Sequence, residues 1–170
     1  MRWTTRKVLF AAILVLGLLV TFEFPLFWKL GCCLPAAKLA ALFLGVLCVP
    51  AADGYWIETD LLPIHVSLAC SAARFFVLLS WLCVAAVLNG NEKTALRRAF
   101  LAIAVAYVST LAANVTRIVL GWHAETWVRS TLPSGFRSAT HAGVGIFVFL
   151  IATYFFINWR FQDGRTSQTA

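Results

Sequence analysis

Residues 35–50 read PAAKLAALFLGVLCVP, an apolar run closed by a proline at each end and carrying one lysine, Lys38. Whether this run crosses a membrane decides the topology of the whole chain. A helix needs about 20 mostly apolar residues to cross roughly 30 Å of hydrocarbon, and runs of about 10–14 are more often interfacial or re-entrant. By that measure residues 36–49 form a short helix that does not span.

The flanking sequence sets the context. Charged residues make up 12% of the 170 positions and apolar residues 61%, against about 25% charged in an ordinary soluble domain. Residues 8–22, 99–115 and 142–157 contain no charge, and 70–88 is interrupted only by Arg74. Counting 36–49 as a span breaks the positive-inside rule at one end or the other. Either Lys93, Arg97 and Arg98 or the cluster Arg2, Arg6 and Lys7 falls on the wrong side. Leaving it outside places both clusters, with Arg160 and Arg165, in the cytoplasm.

The expected fold is therefore an all-α integral membrane protein. It has four transmembrane helices at about 8–22, 70–88, 99–120 and 141–158, plus one short interfacial or re-entrant helix. A short extended segment precedes Cys70, because Ile64, Val66 and Leu68 alternate with Pro63, His65 and Ser67. Residues 1–158 form one membrane-embedded domain, and 159–170 a cytoplasmic tail. The first run has the basic flank of a secretory signal, but no small-x-small cleavage site follows, so it reads as a retained anchor. Lys29 sits where a lipoprotein cleavage box before Cys32 needs an apolar residue.

The net charge of +7 does not point to nucleic acid, since the basic residues cap apolar runs and form no continuous stripe. The five cysteines (Cys32, Cys33, Cys48, Cys70, Cys83) cannot all pair within one chain, and they contain no Cys-x-x-Cys. Cys83, mid-helix, is most simply a buried small apolar residue. His65, His123 and Glu125 lack metal-ligand spacing, Asp53, Glu58 and Asp60 read as solvated, and no metal is expected.

The topology brings three chemically capable residues to one depth on the outer face. Cys70 opens the second span and His141 the fourth, while Arg117 lies 18 positions after Ala99, about 27 Å at 1.5 Å per residue. A helix N-terminus favours thiolate at Cys70, and Arg74, one turn later, acts in the same direction. Arg117 is expected near a helix C-terminus, where a cation is favourable. Tyr107, Thr110, Asn114 and Arg117 follow at steps of 3, 4 and 3, a polar stripe that should face protein or a wet cavity. Taken singly, each has a plainer reading. Arg117 snorkels to the interface, His141 terminates a helix, and Cys70 packs. Their conjunction on one face favours function. Gly143 and Gly145 suggest close helix approach.

The segments Leu68-Ala-Cys70-Ser-Ala-Ala-Arg74, Asn114-Val-Thr-Arg117-Ile118 and His141-Ala-Gly-Val-Gly145 resemble, in order and spacing, the signatures of the exosortase/archaeosortase family. The resemblance covers about residues 54–158, and the small size is similar to the short exosortase K type. It implies a membrane cysteine transpeptidase that processes exported proteins at a C-terminal sorting signal, made of a recognition motif, a transmembrane helix and a basic tail. In that reading Cys70 forms a thioester, His141 is the acid and base, and Arg117 stabilises the oxyanion. Asn114 orients Arg117, Arg74 supports the thiolate or binds substrate, and no cofactor is required. The partners implied are the anchored substrate and the lipid bilayer, with the site on the extracytoplasmic side of the cell membrane and both termini cytoplasmic. One departure is Ala72, where the family has glycine, a mild change if the position is helical. Two rivals remain. One is a quinone-linked thiol–disulfide oxidoreductase using Cys32 or Cys33 with Cys70, and the other a non-catalytic membrane scaffold.

Overall fold

A computed structural model of the chain describes residue 12 and residues 25–67, 70, 72–88, 95–131 and 136–162. The expected first span, residues 8–22, lies outside the described residues apart from Ala12, which is helical.

The described chain begins with helix α1 (Pro25–Trp28), which continues through a π-helical turn (Lys29–Cys33) into α2 (Leu34–Leu44). Pro35 sits in the first turn of α2 and has no N–H to donate into the preceding π-turn, where Gly31 O accepts from Tyr107 OH. Gly45 stops the helix. It adopts φ 70°, its N–H donates to Leu42 O at 3.2 Å, and Val46 N–H donates to Ala41 O at 3.0 Å, the paired bonds of a Schellman cap.

Here the structure corrects the all-α, four-span expectation. The second half of the 36–49 run is not helix. It opens a three-stranded antiparallel sheet, β1 (Leu47–Ala51), β2 (Gly54–Glu58) and β3 (Ile64–Ser67), in the order β1-β2-β3. Once Gly45 has ended the helix, β-branched and aromatic residues take over, and Ala51 pairs with Gly54 across a two-residue turn. Pro50 is tolerated because β1 is an edge strand. Gly54 is required by its neighbour, since a Cβ there would lie 2.2 Å from Val66 O on β3.

One face of the sheet buries Tyr55, Ile57 and Val66 against Ala36, Ala37, Ala40 and Ala41 of α2. The small residues recur at helical spacing and let the helix sit close. Trp56 and His65 alternate to the opposite face, where their rings stack at 4.4 Å, and Asp53 lies 3.0 Å from His65 Nε2. Lys29 Nζ ties the sheet to the π-turn by donating to Ala51 O and Ala52 O, both at 2.9 Å.

Three longer helices follow, α3 (Ala73–Leu88), α4 (Ala95–Thr131) and α5 (Phe136–Gln162). α4 is the central element, with α3 and α5 each packed along it. Phe76 and Leu79 of α3 bury against Ala99, Ala102 and Ala106 of α4, together with Trp28 and Cys32. Only two described helices are long and apolar enough to cross a membrane, over Arg97–Thr131 and Ala139–Phe156. The second expected span, 70–88, is shorter than expected, because α3 has 16 residues, about 24 Å. Just 17% of the apolar window in α5 is buried, and Ile146, Phe147, Leu150, Tyr154 and Phe155 face outward. A core helix of a soluble protein would hide these side chains.

Candidate functional site

Arg117 and Asn114 lie one turn apart on the same face of α4, and both reach the Cys70 backbone. Asn114 Nδ2 donates to Cys70 O at 2.9 Å and Arg117 Nη2 donates to the same oxygen at 3.2 Å. Arg117 Nε donates to Asn114 Oδ1 at 3.2 Å, so the amide acts as acceptor for one partner and donor for the other. Asn114 is 1% exposed, and these bonds satisfy a buried polar group that would otherwise be costly. A guanidinium has five N–H donors. Among the described residues two bonds use two of them, leaving three for a bound group.

The rest of the Arg117 side chain is held from α5. A Cβ added at Gly145 would lie 3.4 Å from Arg117 Cδ, so the glycine makes room for the arginine stem. The guanidinium carbon sits 5.9 Å from the centre of the Phe149 ring, a cation–π contact. Among the described residues no atom would meet a Cβ at Gly143, and none of them makes the expected close approach there.

His141 is exposed and rests against Gly121, four residues beyond Arg117 on α4; a Cβ at Gly121 would lie 3.7 Å from His141 Nδ1. Arg117 and His141 line one cleft of about 540 Å³ between α3 and α5, whose apolar wall continues through Phe75, Leu78, Ile146 and Leu150. Among the described residues no hydrogen bond joins the Cys70 thiol to His141.

Several expected placements shift. Cys70 does not open α3. The helix begins at Ala73, and Ala72 between them has φ 54°, the left-handed region that costs an L-residue with a Cβ about 1–2 kcal/mol. Position 72 is thus a turn that favours glycine, not a helical position where alanine is mild. Arg117 lies 14 residues before the end of α4, and His141 is the sixth residue of α5. Neither is at a helix end, so the expected dipole effects do not act on them. Arg74 is exposed, and among the described residues no hydrogen bond joins it to the site.

The polar stripe divides. Tyr107 OH donates to Gly31 O and holds the π-turn against α4, away from the cleft. Thr110 is buried, and among the described residues its Oγ1 has no hydrogen-bond partner. Burial pushes the Cys32 and Cys33 thiols up to about 11, so both stay protonated near neutral pH. Burial also raises the Cys48 thiol. Among the described residues no group of three His, Cys, Asp or Glu side chains could hold a metal ion. Sequence reasoning missed Gly121 and Phe149, and it left open whether Cys32 or Cys33 lies toward Cys70. The i, i+4 relation of Gly121 to Arg117 was the available signal.

No family model, curated protein or solved structure matches this chain.

Proposed function

We propose that the protein is an exosortase-like cysteine transpeptidase of the cell membrane that cleaves exported proteins at a C-terminal sorting signal and transfers them through a thioester on Cys70. The observation that supports this most is the convergence of Asn114 and Arg117 on Cys70, 44 and 47 residues away in sequence, with His141 sharing the Arg117 cleft. A scaffold has no need to hold the backbone of a partly exposed cysteine with the same arginine that shares a cleft with an exposed imidazole.

The steps follow from the chemistry of these groups. Cys70 Sγ attacks the scissile carbonyl carbon, and the oxyanion that forms is met by the free N–H donors of Arg117. His141 gives a proton to the leaving amine and then takes one from the acceptor nucleophile. Substrate lies in the cleft lined by Arg117 and His141, and on this reading its scissile bond reaches Cys70 beside Arg117. Asn114 positions Arg117, and the apolar wall from Phe75 to Leu150 suits the substrate's own membrane helix. No metal or organic cofactor takes part. The site faces the extracytoplasmic side, with both termini cytoplasmic and the bilayer around α4 and α5.

An exported reporter ending in a recognition motif, an apolar helix and a basic tail tests the reading. Cys70→Ala, Arg117→Ala and His141→Ala should each stop its processing while leaving membrane abundance near normal. If Cys32→Ser and Cys33→Ser abolish function while His141→Ala does not, the thiol–disulfide alternative holds instead. Unchanged function in every variant would leave a scaffold.

A further inference from the structure

Cys33 is fully buried, yet it lies beside the segment that carries Cys70. Its thiol donates to Ser67 O at 3.5 Å, three residues before Cys70. The Cys70 side chain packs against the same apolar cluster that contains Cys33. The two thiols are near enough for the charge of one to act on the other. Cys32, adjacent in sequence, points instead into the separate cluster formed by Trp28, Phe76 and Leu79. Cys33 and Cys70 are both free thiols.

We infer that Cys33 is the resolving partner of Cys70, closing a reversible disulfide over the nucleophile when a peroxide oxidises the site. Cys70 is partly exposed and Cys33 is not, so the oxidant meets Cys70 first. The Cys70 sulfur attacks one oxygen of hydrogen peroxide, the O–O bond breaks, and the products are a Cys70 sulfenic acid and water. The Cys33 sulfur then attacks the Cys70 sulfur. The S–O bond breaks, and the hydroxyl leaves with the Cys33 proton as a second water. Two thiols have lost two electrons in total, and one peroxide has become two waters. A dithiol reductant restores both thiols by exchange.

Burial explains the division of labour. A protonated, enclosed Cys33 ignores solvent reagents and has only a neighbouring sulfenic acid to react with. Proximity supplies the rate that its weak acidity withholds. Without it, the Cys70 sulfenic acid would proceed to the irreversible sulfinic acid. Lys29–Cys33 is π-helical, a local backbone form frequent at functional sites.

The consequence for activity rests on the proposed role of Cys70, but the crosslink does not. The full chain in detergent micelles is treated with a small molar excess of hydrogen peroxide and mapped by non-reducing peptide mass spectrometry. The expected main product links Cys33 to Cys70 in the unaltered chain and in Cys32→Ser and Cys48→Ser variants, and dithiothreitol reverses it. Cys33→Ala should give no such link and several-fold more Cys70 sulfinic acid. Pairing of Cys70 with Cys32 or Cys48, or equal sulfinic acid with and without Cys33, overturns the inference. If Cys33→Ala fails to fold, the map of the unaltered chain decides alone. Peroxide should also stop reporter processing until dithiothreitol is added. A confirmed crosslink that leaves processing intact would instead refute Cys70 as nucleophile.

Discussion

The sheet side and the helix-only side of this molecule differ in how they pack. α2 and the strands close one face tightly, with Ala36, Ala37, Ala40 and Ile57 each 0% exposed, while Leu42, Phe43 and Leu47 on their other face are turned outward. Along α4 and α5 the residues turned outward include Phe100, Leu101, Phe147 and Phe155. The first pattern is a helix and sheet sealed against each other, and the second is long helices that carry apolar side chains outward along much of their length. Asn114 and Arg117 stand at the boundary, where α4 passes from one regime to the other. A guanidinium there can be held by polar partners on one side and still face a cleft with apolar walls on the other.

The largest effect that would test this boundary comes from Arg117→Ala, which removes the donors facing the cleft. Reporter processing should fall about 10²–10³-fold. Arg117→Lys should recover little, because an ammonium cannot donate to Cys70 O and Asn114 Oδ1 in the same fork. Full activity in the lysine variant would reduce Arg117 to a point charge.

Next is the pH dependence that the sheet side should impose. Cys32 and Cys33 keep their protons to about pH 11 in the folded chain, whereas unfolded thiols ionise near 8.5–9. Between those values the unfolded state holds fewer protons, so stability falls as pH rises through the window. The loss should be on the order of 2 kcal/mol per thiol. Thermal melts in detergent from pH 8 to 11 measure it, and Cys33→Ala should flatten the slope. A melt insensitive to pH in this range would mean the cluster is open to water.

Asn114→Ala should cost about 1–3 kcal/mol by leaving Cys70 O and Arg117 with fewer partners, together with a loss of processing. Asn114→Asp keeps the acceptor for Arg117 and loses the donor to Cys70 O, so the two variants separate positioning of Arg117 from support of the Cys70 backbone. Ala72→Gly should stabilise the chain by about 1 kcal/mol, since it relieves the left-handed strain between β3 and α3. A destabilised glycine variant in a urea titration would show that the turn is fixed by contacts of the alanine methyl. The smallest effect is expected for the α5 glycines. Gly145→Ala presses on Arg117 Cδ and should lower processing modestly, while Gly143→Ala, which meets nothing, should leave it unchanged.

Much of the site's polar framework was readable in the sequence, because Asn114 and Arg117 are conspicuous in an apolar helix and their i, i+3 spacing fixes a shared face. Their target was not. That they hold the Cys70 carbonyl depends on Ala72 turning the chain left-handed before α3, and nothing in a Ser-Ala-Ala stretch announces a positive φ. The sheet was missed for a different reason. Residues 47–51 continue the apolar run that begins at Pro35, so composition masked the start of the first strand. The signal was Asp53-Gly54 followed by Tyr55, Trp56 and Ile57, a dipeptide characteristic of tight hairpins ahead of strand-forming residues. Helix ends were misplaced because polar residues such as His123, Glu125 and Arg129 continue a helix in water as readily as they end one in lipid.

The length of α4 has a further consequence. Its 37 residues make a rod of about 55 Å, while the 20 steps from Arg97 to Arg117 cover about 30 Å, the thickness of the hydrocarbon layer. On the proposed function the remaining turns rise clear of it, and Trp122 Nε1 donates to Thr59 Oγ1 at 3.2 Å, bracing this mast to the sheet. A braced mast is a ruler. On the proposed function it fixes the height of Arg117 above the opposite surface, so a substrate is measured by its own apolar helix before it is cut. Lengthening that helix by one turn lifts the bond to be cleaved about 5 Å past the waiting guanidinium.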